Sequence, residues 1–193
     1  IIGLGQGASR PTVSLSAVAS TIAMGAASCS LENILLKAEH DNTIMVDIDA
    51  TDCSVVACEF RSRIAATARE FVTAIDINGG AANACDRTRV INCLFYSPTA
   101  GATQAIELGE IADSVEIVGC QAWGDYGAAP IHNPTGFVLT RLSVRDCILE
   151  NTQTGDHAIE LVSACTGLLA RNLYKSDMTQ ATASDPGSCF SYE

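Results

Sequence analysis

Four acids recur at one position of a repeated phrase: Asp47, Asp76, Glu107 and Glu160. The phrases read Val46-Asp47-Ile48, Ile75-Asp76-Ile77, Ile106-Glu107-Leu108 and Ile159-Glu160-Leu161. Ile131-His132-Asn133 fills a further copy, and Ala23 takes the acid's place in a degenerate first one. In a strand the two apolar neighbours face one way and the acid the other. If equivalent strands stack, their carboxylates stand about 5 Å apart and repel. Such repulsion raises a pKa and creates a general acid, or it recruits a Ca²⁺. The four acids are therefore the candidate catalytic residues, and Ca²⁺ is the one cofactor the column could recruit. On so acidic a chain the same column also serves as a solvated or partner-facing surface, and the sequence favours that use over catalysis.

Other chemistry is sparser. Trp123 and Tyr126, in the loop expected over 122–130, are candidate carbohydrate-binding residues, because an aromatic face complements the apolar face of a pyranose; Tyr96 is a third. Phe60, Phe95 and Tyr174 fall at inward positions instead. His40, His132 and His157 show no metal-binding spacing or nucleophile triad. No Cys-x-x-Cys occurs, so no metal ligands are assigned. Arg141, Arg145 and Arg171 form no motif and read as outer positions. Gly3-x-Gly5-x-Gly7 reads as a tight opening turn rather than a dinucleotide loop.

What must position the acids is a second phrase that alternates with the first. It reads Val55-x-x-Cys58-x-Phe60, Val90-x-x-Cys93-x-Phe95, Ile117-x-x-Cys120-x-Ala122, Val144-x-x-Cys147-x-Leu149 and Leu169-x-x-Asn172-x-Tyr174. With the Cys position as zero, positions −3, zero and +2 are nearly all apolar. Strict alternation would put −3 and zero on opposite faces, so the chain must bend between them. Position −1 holds Asn33, Ala57, Asn92, Gly119, Asp146 and Arg171. Four of these are Asn, Asp or Gly, which tolerate a left-handed backbone and predict a one-residue corner there. Loops are expected at Gly79-Gly80, Ser97-Pro98 and Asn133-Pro134, and one short helical insertion over 61–71. Asn172, a buried amide replacing Cys, needs hydrogen-bond partners.

A repeat that alternates strands at a nearly constant period signifies stacked coils. The expected fold is all-β, a right-handed single-stranded parallel β-helix of about 6–7 coils. An antiparallel sandwich would not explain why equivalent positions recur one coil apart. Residues 1–20 read as an N-terminal cap and opening coil, 21–177 as the coils, and 178–193 as a C-terminal segment that begins a further coil or domain. The chain reads as a fragment or as trimmed at its ends.

Bulk properties exclude some classes. The 193 residues are 48% hydrophobic, enough for a continuous core and against disorder. A net charge of −11 with no basic run argues against nucleic acid as a partner. No apolar stretch is long enough to span a membrane, and residues 11–36 lack the features of a signal peptide. Nine Cys is an odd number. Cys58, Cys93, Cys120 and Cys147 share one repeat position and read as reduced, buried thiols. Disulfide bonding stays open for Cys85, Cys165 and Cys189.

The coil length, the corner and the inward Val/Ile/Cys/Phe ladders resemble the right-handed parallel β-helix of the pectate-lyase-like superfamily, from Thr21 to about Asp177. The opening Ile2-Gly3-Leu4-Gly5, followed by Arg10-Pro11-Thr12-Val13-Ser14-Leu15, resembles the first coil of such domains in bacteriophage tail and virion proteins. That architecture hosts enzymes, adhesins and structural parts alike. The resemblance implies a non-enzymatic bacteriophage virion protein, either a capsid decoration protein or a tail fibre or tail spike shaft. It would be a homotrimer contacting other virion proteins, assembled in the host cytoplasm. The alternative is a polysaccharide lyase or glycoside hydrolase using the outward carboxylates, where their separation would set the stereochemistry. An extracellular adhesin is a third reading.

Overall fold

The computed structural model describes residues 1–5, 9–62, 69–80, 82, 84–161 and 164–176, with the backbone of 184–185 and 190–192. The chain is all-β. Its strands form three seven-stranded sheets, each pairing in parallel with its equivalent one coil away. The architecture is a parallel β-solenoid of about six turns.

The pre-corner sheet holds Ser30–Glu32, Ser54–Val56, Arg89–Ile91, Glu116–Val118, Leu142–Arg145, Gly167–Ala170 and Phe190–Tyr192. The post-corner sheet runs from Thr12–Leu15 through Leu35–Ala38, Glu59–Arg61, Leu94–Ala102, Gln121–Tyr126 and Ile148–Asn151 to Leu173–Lys175. The acid-bearing sheet contains Ile22–Met24, Asn42–Ile48, Phe71–Ile77, Gln104–Leu108, Ile131–Asn133, Ile159–Leu161 and Ser184–Asp185. Strands from 184 and 190 thus extend two of the sheets.

Every residue at position −1 is left-handed, with φ from 52° at Ala57 to 64° at Gly119. The single left-handed residue turns the chain while position −3 and position zero both face inward. Val55, Cys58 and Phe60 are all fully buried, and so are their equivalents Val90, Cys93 and Phe95. Phe60 and Phe95 stack with centroids 4.9 Å apart. Leu31, Ile117, Val144 and Leu169 continue the inner column.

A second left-handed corner lies six residues before the Cys position, at Ser28, Asp52, Arg87, Ser114 and Arg141. Its residue types give little warning, because Arg and Ser are not favoured in that backbone region. Stacking supplies compensation. Arg87 grips Asp52 of the preceding coil through Nε and Nη2 at 2.7 and 2.8 Å. The corner at position −1 repeats the device: Arg171 grips Asp146 twice at 2.7 Å. These contacts hold Asp52 and Asp146 below the usual carboxylate range. Arg141 bonds Ser114 and Asp113, so these arginines tie coil to coil.

Ser97 and Pro98, expected in a loop, lie inside the strand Leu94–Ala102, where the register shifts between Ser97 and Ala102. That irregularity accommodates a proline, which cannot donate to the ladder. The expected insertion over 61–71 lies mostly outside the described residues; Arg61 ends one strand and Phe71 begins another. Asn172 is half-buried and satisfied: it accepts from the Cys147 amide at 3.0 Å and donates to Val144 O at 2.9 Å. The eight described cysteines are free, Cys85 and Cys165 included; Cys189 lies outside the described residues.

Candidate functional site

The acid column forms in the expected register. Ala23 pairs with Asp47, Asp47 with Asp76, Asp76 with Glu107, Glu107 with His132, and His132 with Glu160. Glu160 in turn pairs with Asp185, a backbone position the sequence pattern had not assigned. Neighbouring members are therefore about 4.8 Å apart along the backbone.

The column is not uniform. Asp47, Glu107, His132 and Glu160 are half-buried, but Asp76 is 6% exposed. Its pKa is raised to about 7, first by burial, then by the charges of Glu107 and Asp47. Asn78 gives one stabilising hydrogen bond, while Asp76 Oδ1 is buried without a partner. Asp47 is also raised, by burial and by Asp49.

Two polar residues missed in the sequence share the acids' face. Met45–Val46, Ala74–Ile75 and Ala105–Ile106 are consecutive buried pairs, which break the alternation. The residues three before each acid therefore return to the acid's face. Thr73 and Gln104 are such residues, and both are buried. Gln104 Nε2 donates to Thr73 Oγ1 at 2.8 Å and to the Glu107 carboxylate. Gln104 Oε1 is left unpartnered, as is His132 Nδ1. On its other side His132 Nε2 is 3.9 Å from Glu160 Oε2. The signal in the sequence is the apolar pair ahead of each acid, Met-Val before Asp47 and Ala-Ile before the other three, which defeats period-2 reading.

Chemically, Asp76 is a carboxyl group that carries its proton to near neutrality, beside a hydrogen-bonded Glu107 carboxylate. That is the pairing of a proton donor with a base. A resident cation has less support, because no group of three donors is close enough to hold a metal among the described residues. Glu160 is separated from Asp76 and Glu107 by the His132 coil, so the four acids do not converge on one point.

The carbohydrate assignment needs a correction. Tyr126 is fully buried and cannot stack on a sugar. It lies on the strand Gln121–Tyr126, not in a loop; alternation with Ala122 and Gly124 carries it inward. Trp123, on the opposite face, is 36% exposed and pairs in register with Tyr96. They line a groove of about 340 Å³ with Glu59, Arg61, Ser62 and Leu94. Compared with known proteins, the sequence matches no family model, no curated protein and no solved structure.

Proposed function

We propose that the chain is a non-enzymatic structural solenoid of a bacteriophage virion, a decoration protein or the shaft of a tail fibre or spike, working as a homotrimer. The right-handed, pectate-lyase-like character of the coil belongs to the same proposal. One observation supports it most: the outward face of the post-corner sheet. Leu94, Tyr96, Trp123, Ile148 and Leu173 lie there on adjacent strands at two outward positions. Trp123 and Ile148 are more than one-third exposed and Leu173 is 63% exposed. Gln121, Glu150 and Lys175 share these two positions, and Glu59–Arg61 and Glu150–Lys175 are ion pairs. Apolar side chains interleaved with ion pairs on one outward face are a composition suited to a subunit contact. Stacked ladders supply a stiff body, and this face supplies adhesion between copies.

The test is the native mass at micromolar concentration together with binding to capsids. A trimer of 20.1 kDa chains that Leu173→Asp plus Trp123→Asp converts to monomer supports the proposal. A monomer that binds no capsid contradicts it.

A second reading, a polysaccharide-cleaving domain, is favoured by the Asp76–Glu107 pair. In it Asp76 protonates the leaving oxygen and Glu107 acts as base or nucleophile. Asp76→Asn and Glu107→Gln should each abolish depolymerisation while the β circular-dichroism signal stays. Undiminished cleavage after both changes removes the pair from consideration.

A further inference from the structure

Cys29 and Cys53 occupy the same repeat position in adjacent coils, five residues before the Cys column. Their neighbours Ser30 and Ser54 are in register, with hydroxyl oxygens 3.2 Å apart. The Ser54 amide donates to Cys29 O at 2.9 Å, which locks the two strands together at the cysteines. In-register parallel neighbours stand about 4.8 Å apart at Cα, inside the roughly 4.4–6.8 Å span that a disulfide bridges.

The buried column also stacks cysteines, yet the two sets differ in access. Cys58, Cys93, Cys120 and Cys147 are at most 1% exposed, and each thiol has carbonyl acceptors in its own and the preceding coil. Cys29 is the one half-buried cysteine among those described. It opens into a depression of about 250 Å³ lined also by Ile1, Ile22, Met24 and Leu31. Cys53 lies behind it, its thiol directed at Ala26 O at 3.4 Å. Burial raises the Cys53 thiol, and the Cys29 backbone and thiol act on it directly.

We infer that Cys29 and Cys53 are a thiol–disulfide pair that staples the first two coils when the chain meets a disulfide oxidant such as oxidised glutathione. Cys29 reacts first, because it is the accessible sulfur. Its thiolate attacks one sulfur of glutathione disulfide, forming a mixed disulfide and releasing one glutathione thiolate. Cys53, as thiolate, then attacks the Cys29 sulfur, forming the Cys29–Cys53 bond and releasing the second glutathione. Both protein thiol protons leave with the two glutathione molecules, so two protein thiols are oxidised and one glutathione disulfide is reduced. The inference stands apart from any virion role.

The test treats the folded, fully reduced chain with glutathione disulfide and maps linkages by tandem mass spectrometry. Fragmentation is needed because the tryptic peptide carrying Cys53 also carries Cys58. The expected result is a Cys29–Cys53 linked peptide, loss of two hydrogens, and a thermal midpoint raised by roughly 5–10 °C. Cys29→Ser, beside serines already present, should fold normally and abolish both changes. Glutathione adducts on Cys29 that never resolve, or a link between other cysteines, would overturn the inference.

Discussion

The thiol column and the acid column are built by one repeat and behave in opposite ways. Inside, Cys58, Cys93, Cys120 and Cys147 stack with every thiol donating to a carbonyl, at distances of 3.3–3.8 Å. Outside, Asp47, Asp76 and Glu107 stack at the same interval, and Asp76 keeps an unpartnered oxygen. A solenoid copies any side chain onto itself at about 4.8 Å. A neutral group with a nearby acceptor profits from that copying. An ionised group suffers from it, and the burial of Asp76 makes the penalty larger. The lesson is that a repeat's regularity stabilises only those columns whose members tolerate their own image.

Exchanging the two chemistries should break the contrast most severely. Cys93→Asp puts a carboxylate at a fully buried position. It should cost at least about 3–5 kcal/mol or prevent folding, read by urea unfolding. A loss under 1 kcal/mol would mean that the interior is wetter than its packing implies.

Removing the charge outside should do the reverse. Folding lifts the Asp76 pKa to about 7, so between about pH 4 and 7 the native chain keeps a proton that the unfolded chain has released. Stability tied to Asp76 is therefore full below about pH 4 and is lost as pH rises through 7. Asp76→Asn should stabilise the protein by about 1–4 kcal/mol at pH 8 and change little at pH 4. Equal effects at both pH values would detach the penalty from ionisation. Cys120→Ala sharpens the interior side. It removes one sulfur and its contacts, and should cost about 1 kcal/mol independent of pH from 4 to 8. The smallest change is Glu107→Gln, which should move the Asp76 titration downward with little effect on unfolding at pH 4.

Much of this is legible in the sequence. The six corners at position −1 follow from Asn33, Asn92, Gly119 and Asp146; Ala57 and Arg171 are carried along by register. The corner at position −6 is hidden because Asp52 and Arg87 justify each other only across coils. The inward place of Tyr126 is hidden, because Gly124, Gly127 and Pro130 signal a loop while tertiary pairing with Leu94–Ala102 and Ile148–Asn151 extends the strand. The acids themselves are visible as a column. Their inequality is not, because it depends on how deeply each carboxyl is buried, which a shared repeat position does not reveal.

Carboxyl carbon NMR titration of Asp76 in the native protein is the most direct test. A midpoint near 7 that falls in Glu107→Gln is expected from a buried acid facing its own image. A midpoint near 4, unmoved by Glu107→Gln, would contradict it.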